Sequence, residues 1–283
     1  MASRTRQKEE ARAKRLAEER AAAERAHRTR RMRMLGGVVG LAVVVVAVVI
    51  AISVSGGGTG QPAPKPGSTA SNADVTAVSN LLNGIPQSGQ TLGRPSAPVT
   101  ITEYADLECP VCGAFSLPTS KTASDGAQGT GYFDQLVNQY VRTGKAKVVY
   151  KSMETATAGG PNASMWAQQQ ASAYAAGLQN KAWYYIELFY RQQQPENTAY
   201  VNTTFLQGIA KQIPGLDLGK WASDSQSQAL QSQVTSDGQA AAAQGLQPNT
   251  PTLVIHGPKG QAQPIIGLAP SFSAITSAIN SVS

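Results

Sequence analysis

Residues 35–54, LGGVVGLAVVVVAVVIAISV, run for twenty positions without a charge. At ~1.5 Å of rise per residue a helix of that length spans the ~30 Å hydrocarbon core of a bilayer. A buried soluble helix is seldom apolar on every face and so rich in Val, so the run is predicted to be a transmembrane helix. It divides the chain into parts that must fold in different compartments. Residues 1–34 carry twelve Lys/Arg against five Asp/Glu, whereas the remaining 249 residues carry twelve of each sign, so the net charge of +7 belongs to the tail alone. Cytoplasmic flanks hold the Lys/Arg excess, which places the N-terminus inside and everything after residue 54 outside. A cleaved signal peptide has a shorter basic stretch and an apolar region of only ~7–15 residues, so the expectation is an uncleaved signal anchor. The neutral remainder argues against nucleic-acid binding, which needs basic residues on the folded surface.

The tail itself, rich in Ala, Glu and Arg, reads as a solvated helix or extension. After the anchor, residues 55–77 are dominated by Gly, Pro, Ser and Thr and cannot bury enough apolar area to order themselves. Residues 55–92 are therefore expected to be a linker and approach segment, and the folded domain is expected over 93–283. Within it, residues 98–104 (PVTITEY) alternate β-branched and polar side chains, a strand pattern. Residues 132–143 have the apolar spacing of an amphipathic helix that stops at Gly144, and 146–150 read as the next strand, which completes a βαβ unit. Residues 163–194 and 203–246 read as helical, with the Gln/Ser/Ala-rich stretch at 222–247 as a surface helix. Residues 252–256 and 263–266 read as strands, and 271–279 as a closing helix capped by Ser271. The fold class is α/β with a helical insertion at about 160–246.

The chain has two cysteines, and both lie in Cys109-Pro110-Val111-Cys112. That spacing serves a redox pair, a structural disulfide or half of a metal site. Structural zinc wants four ligands, and on the outer side only His256 offers a further nitrogen or sulfur. A disulfide closing a loop of two residues stabilises little by the loop-entropy argument. A redox pair at a helix start gives every residue a purpose. Cys109 at the N-terminus has its thiolate favoured by exposed N–H groups and the macrodipole. Pro110 suits the first helical position, and Cys112 lies one turn deeper on the same face.

The segment Glu103-Tyr-Ala-Asp-Leu-Glu-Cys-Pro-Val-Cys112, with Asn249-Thr-Pro-Thr-Leu-Val-Ile-His-Gly257 about 140 residues later, resembles the DsbA family of thioredoxin-fold thiol–disulfide oxidoreductases. Residues 181–190 (KAWYYIELFY) are similar to the aromatic helix of that family's insertion, so the resemblance covers 93–283. It implies a thioredoxin-like fold, Cys109 as the nucleophile exposed to substrate, and Cys112 as the buried resolving thiol. It implies a cis-Pro251 facing the pair, with the Thr250 backbone, Pro110 and Val111 meeting an extended substrate strand. Glu103 falls where the family places a buried acid beneath the disulfide, with Lys147 as its expected ion-pair partner. Glu103 reads equally well as a proton relay or as a salt-bridged strand residue. Glu108 is expected to be solvated, and Trp183, Tyr185 and Phe189 to be core rather than groove.

Where many relatives have His between the cysteines, this chain has Val111, which offers no donor. The thiolate then rests on the helix N-terminus alone, and the disulfide is expected to be less oxidising. What the resemblance implies is a membrane-anchored, extracytoplasmic enzyme without a bound cofactor beyond the Cys109–Cys112 disulfide. It would oxidise reduced secreted or envelope proteins and be reoxidised by a quinone-linked membrane protein. A reductase or isomerase of the same fold and a tethered chaperone are the alternatives.

Overall fold

The computed structural model describes residues 69–269 and 271–283. The basic tail and the apolar run at 35–54 lie outside the described residues. Among the described residues no helix is long and apolar enough to cross a membrane.

The first element, α1 (Thr69–Leu82), takes up 14 residues of the segment 55–92 expected to be a linker and approach. Val78, Leu81 and Leu82 are buried, Arg142 caps its C-terminus by donating to the Leu81 and Asn83 carbonyls at 2.7 Å, and Lys121 pairs with Asp74 at 2.6 Å. The composition argument fails here because three apolar residues at helical spacing suffice once a docking surface exists. Two short strands follow, β1 (Gln87–Ser88) and β2 (Thr91–Leu92). They form an antiparallel pair that extends the sheet through β2 against β4.

The sheet's centre is built from β3 (Val99–Ala105) and β4 (Ala146–Ser152), which are parallel and in register from Val99↔Ala146 to Ala105↔Ser152. Between them run α2 (Pro110–Ser116) and α3 (Tyr132–Leu136), the latter continuing into one wider turn at Val137–Val141. Gly144, at φ +77°, ends this segment in a conformation that other residues avoid. The β-branched alternation of β3 puts Val99, Ile101, Glu103 and Ala105 on one buried face. One carboxylate thus stands in an apolar row.

The helices between β4 and β5 are shorter and more numerous than the sequence pattern suggests. A 3₁₀ turn (Ala163–Met165) leads into α4 (Trp166–Gly177), and α5 (Ala182–Arg191) follows after Asn180 turns the chain at φ +58°. Next come α6 (Thr203–Ala210), α7 (Leu218–Asp224) and α8 (Gln228–Ala243). The Pro214-Gly215 step separates α6 from α7, Gly215 standing at φ +71°. Asn202, Asp217 and Ser227 then cap α6, α7 and α8 by accepting backbone N–H groups. α8 buries Leu230, Val234 and Ala241, so the low-complexity run is a helix on the sheet rather than a tether.

The chain then re-enters the sheet as β5 (Thr252–Gly257), antiparallel to β3, with β6 (Gly260–Gln261) and β7 (Ile265–Ile266) both pairing to it. α9 (Phe272–Val282) closes the domain by burying Ile275, Ile279 and Val282. Ser271 begins it, but its hydroxyl meets Ser273 and does not cap. Trp183 stacks on Phe133 at 5.1 Å and meets Tyr150 edge-on at 6.2 Å, tying α5 to α3 and β4. Trp183, Tyr185 and Phe189 are all core.

Candidate active site

β3 ends at Ala105, and the chain turns through 106–109 into α2. Cys109 is the residue at the helix N-cap, with extended backbone, and Pro110 takes the first helical position, where no N–H is missed. Cys112 lies one turn on and is fully buried, while Cys109 is 6% exposed. Cys109 is therefore the more accessible of the two but is recessed, not displayed. The cysteines are unbridged, and the Cys109 Sγ lies 3.4 Å from the Thr250 carbonyl oxygen. The Thr250–Pro251 peptide is cis. Pro251, Thr250 and the pair, brought together from 141 positions apart, form one site.

The two thiols are driven in opposite directions. Cys109 is held below its ordinary value by a hydrogen bond from Cys112, with the Thr250 side chain and the Cys112 backbone N–H adding to it against burial. Cys112 is pushed well up, first by its burial and then by Cys109. The strongest support for the Cys109 thiolate is therefore its partner cysteine, not the helix end alone. Val111 is half-buried against the core and takes no part in these hydrogen bonds.

Glu103 is 2% exposed on the face of β3 that runs under α2, close enough to Cys112 for its charge to raise that thiol. Lys147 is not its partner. In the β3–β4 register Lys147 stands opposite Thr100, on the other face of the sheet, and its ammonium donates to the Pro95 carbonyl at 2.8 Å. Glu103 joins none of the ion pairs found among the described residues. Burial, reinforced by Glu187, pushes its carboxyl up to about 8.

Glu108, expected in solvent, is 3% exposed. Its carboxylate accepts from Asn162 at 2.6 Å, Gln169 at 3.1 Å and Thr157 at 3.2 Å, and burial raises it to about 7. Behind it the buried Asp106 gathers the loop. It accepts from the N–H groups of Glu108, Thr155 and Thr157 at 2.9–3.0 Å and from the Thr157 hydroxyl at 2.8 Å. Thr155 also meets the Thr250 hydroxyl at 2.6 Å, so one residue links the turn before Cys109 to the turn before Pro251. From the far side, Gln193 donates to the Leu107 and Cys109 carbonyls at 2.8 and 3.0 Å. It packs so closely that a Cβ on Gly113 would come within 2.6 Å of its side-chain oxygen.

None of Asp106, Thr155, Thr157, Gln193 or Glu187 stands out as a site residue by local pattern. Glu187 left one sign, as the single acid in the helix AWYYIELFYR. Among the described residues no group of three or more His, Cys, Asp or Glu is arranged to hold a metal. Beside the site, Gly267 donates to the Pro251 carbonyl at 2.8 Å, and its neighbours Ile266 and Leu268 are exposed apolar side chains.

Known proteins resemble this chain at low identity. The probable disulfide bond formation protein D of Bacillus anthracis is 21% identical over 153 residues, 54% of this chain and 63% of that protein. Its Bacillus cereus counterpart is 20% identical over the same shares. The chain thus spans less than two thirds of the curated relatives it matches. BdbD from Bacillus subtilis, in its oxidised crystal structure, superposes with a TM-score of 0.53 at 17% identity, covering 70% of this chain and 97% of BdbD. Pseudomonas aeruginosa DsbA2 superposes with a TM-score of 0.50 at 23% identity, covering 70% and 96%. Both show the fold. The family model described as Thioredoxin matches residues 87–265, from β1 to β7 and across both cysteines and Pro251, and the chain belongs to that family.

Proposed function

We propose that the chain is a thiol–disulfide oxidoreductase of the DsbA type that oxidises reduced secreted or envelope proteins through Cys109 and Cys112. The observation that carries this reading is the pair of unlike thiols beside Pro251. A recessed Cys109 with its thiolate favoured stands beside a fully buried Cys112 whose thiolate is disfavoured. The names of the Bacillus relatives support it. The redox-active disulfide is the only prosthetic chemistry the reaction uses.

The geometry runs the exchange as follows. A substrate thiolate attacks the Cys109 Sγ of the disulfide in line with the Cys109–Cys112 bond, and Cys112 leaves with the electron pair and takes up a proton. The resulting mixed disulfide lies along the Thr250–Pro251 turn, where the substrate backbone can pair as an added strand. A second substrate thiolate attacks the substrate sulfur and Cys109 leaves as a thiolate, which its hydrogen bonds favour. The substrate has lost two electrons and the pair has gained them. Residues 35–54 hold the enzyme at the membrane with this domain on the outer side. There a quinone-linked membrane protein accepts the electrons, and confinement to one plane raises its effective concentration.

Equilibrating the full chain against a glutathione series tests the direction of flow. A reduction potential above about −150 mV marks a disulfide donor, and one below about −220 mV marks a reductase. The reductase or isomerase reading has one specific observation in its favour, the absence at Val111 of any donor to Cys109. A Cys109→Ser/Cys112→Ser chain with full function would replace both readings with that of a tethered chaperone.

A further inference from the structure

Three strands meet at one edge of the sheet. β3 and β4 are parallel and finish side by side at Ala105 and Ser152, and β5, antiparallel to β3, begins there with Thr252 opposite Tyr104. The turns just beyond, at 106–109, 153–157 and 249–251, are thereby neighbours, and Asp106 and Thr155 join them. Asp106 holds the first turn with its own atoms. Its carbonyl accepts the Cys109 N–H at 3.1 Å, and its Oδ1 accepts the Glu108 N–H at 3.0 Å. Its Oδ2 accepts the Thr155 and Thr157 N–H groups at 2.9 and 3.0 Å, which fixes the second turn to the first. The third turn is reached by the hydroxyl of the half-buried Thr155, 2.6 Å from that of Thr250. Thr250 meets Cys109 in both of its protonation states. Its carbonyl lies 3.4 Å from the sulfur and accepts from the thiol, and its side chain is among the groups that favour the thiolate.

Two hydroxyls 2.6 Å apart share one proton between them, and the residue that supplies it decides where the other hydroxyl points. The Thr155 hydroxyl lies 3.4 Å from Asp106 Oδ2, beyond the usual ~2.5–3.0 Å of an O–H···O bond, and that oxygen already accepts two N–H groups. Thr250 Oγ1 is its better acceptor. We infer that Thr155 is a positioning residue for the exchange reaction: anchored by Asp106, it donates its hydroxyl proton to Thr250 Oγ1 and so leaves the Thr250 hydroxyl proton directed at Cys109. The inference rests on the thiol-exchange reading and deepens it. Cys109 must depart as a thiolate when the oxidised substrate is released, and a donor already aimed at it costs no reorganisation at that moment. With the proton shared the other way, the thiolate would face a lone pair. The titratable groups facing Cys109 are Cys112 of its own helix, Asp106 of the turn before it and Tyr190 of α5. The Asp106 charge opposes the thiolate, so removing Asp106 would mix two effects. Thr155 carries no charge, and an isosteric change isolates its hydrogen bond.

The test uses the full chain. Thr155→Val keeps the shape of the side chain without the hydroxyl, and Thr155→Ser keeps the hydroxyl. The ultraviolet absorbance of the thiolate, followed against pH in the reduced chain, reads the ionisation of Cys109. In Thr155→Val its inflection is expected to rise by about 0.5 pH unit, and the glutathione equilibrium at pH 7 to move about threefold toward the disulfide. Thr155→Ser should restore both. In a Thr250→Val background, Thr155→Val should add nothing, because it acts on Cys109 through that hydroxyl. A melting curve accompanies each variant, and Thr155→Ala makes the same deletion, with the same shifts expected, should the valine chain not fold. The inference is overturned by a folded Thr155→Val or Thr155→Ala chain whose inflection and equilibrium match those of the unaltered chain. It is equally overturned by the same shift in Thr155→Ser, or by full additivity with Thr250→Val. An unaltered chain that forms no disulfide at any glutathione ratio overturns the exchange reading itself, and the role of Thr155 with it.

Discussion

Cys109 and Cys112 are the same residue type three positions apart, and what separates them is one turn of burial and the hydrogen bonds that turn allows. Iodoacetamide at pH 7 is expected to alkylate Cys109 at least tenfold faster than Cys112, as peptide mapping with time would show, because the thiolate is the reactive form. Val111→His would supply a donor that the present pair lacks. Its reduction potential should rise by about 30 mV or more, and an unchanged potential would refute that account of position 111. The buried carboxyls have a consequence for stability. Glu103 and Glu187 are raised from 4.5 to about 8 and Glu108 to about 7. A raised folded value means the stability they lend is complete below 4.5 and is lost as the pH climbs through 7 to 8. Thermal unfolding should therefore shift downward between pH 5 and 9. Glu187→Gln should gain on the unaltered chain at pH 9 by about 1 kcal/mol, or ~2–4 °C in Tm, and by less at pH 5. At this scale the sequence shows the cysteines and the acid six residues before them. It hides the second buried acid, Glu187, which is held by Ser116 from 71 positions away.

At the scale of elements, legibility follows period and punctuation. β3 and β4 are plain in the sequence because β-branched alternation persists over seven residues in each. β1, β2, β6 and β7 have two residues each, too few for a period, and exist because a finished strand edge accepts them. The helical stretches at 163–194 and 203–246 read as continuous because Ala, Gln and Leu propensity outweighs isolated breakers in a window. Pro214-Gly215 marks one of the breaks. Lys147 illustrates the limit of spacing arguments, since a shift to an even- or odd-numbered position decides the face on which a strand residue emerges. The helix least distinguished by composition, α8, is held by polar contacts. Asp237 pairs with Lys151 of β4 at 2.8 Å and accepts the hydroxyl of Tyr174 from α4. Asp237→Ala leaves a buried tyrosine hydroxyl short of its acceptor and should cost about 1–3 kcal/mol in chemical denaturation. A loss below ~0.5 kcal/mol would mean that the contact with Ser152 suffices alone.

The whole molecule joins a Gly/Pro-rich segment to a domain that starts earlier than composition suggests, at Thr69, with α1 docked on the domain. Removing residues 1–82 should lower the melting temperature by several degrees relative to removing residues 1–58, because the apolar surface that Val78, Leu81 and Leu82 cover is then left open to water. Equal melting curves would return α1 to the linker. The recess of Cys109 also has a consequence in time. Cys109, with only 6% of its residue surface open and its sulfur beside the Thr250–Pro251 turn, is expected to be reached more readily by a cysteine on an extended segment than by one fixed on a finished globule. On the exchange reading, the protein meets its substrates while they are still threads. On that reading the order of pairing follows the order in which the substrate's cysteines emerge.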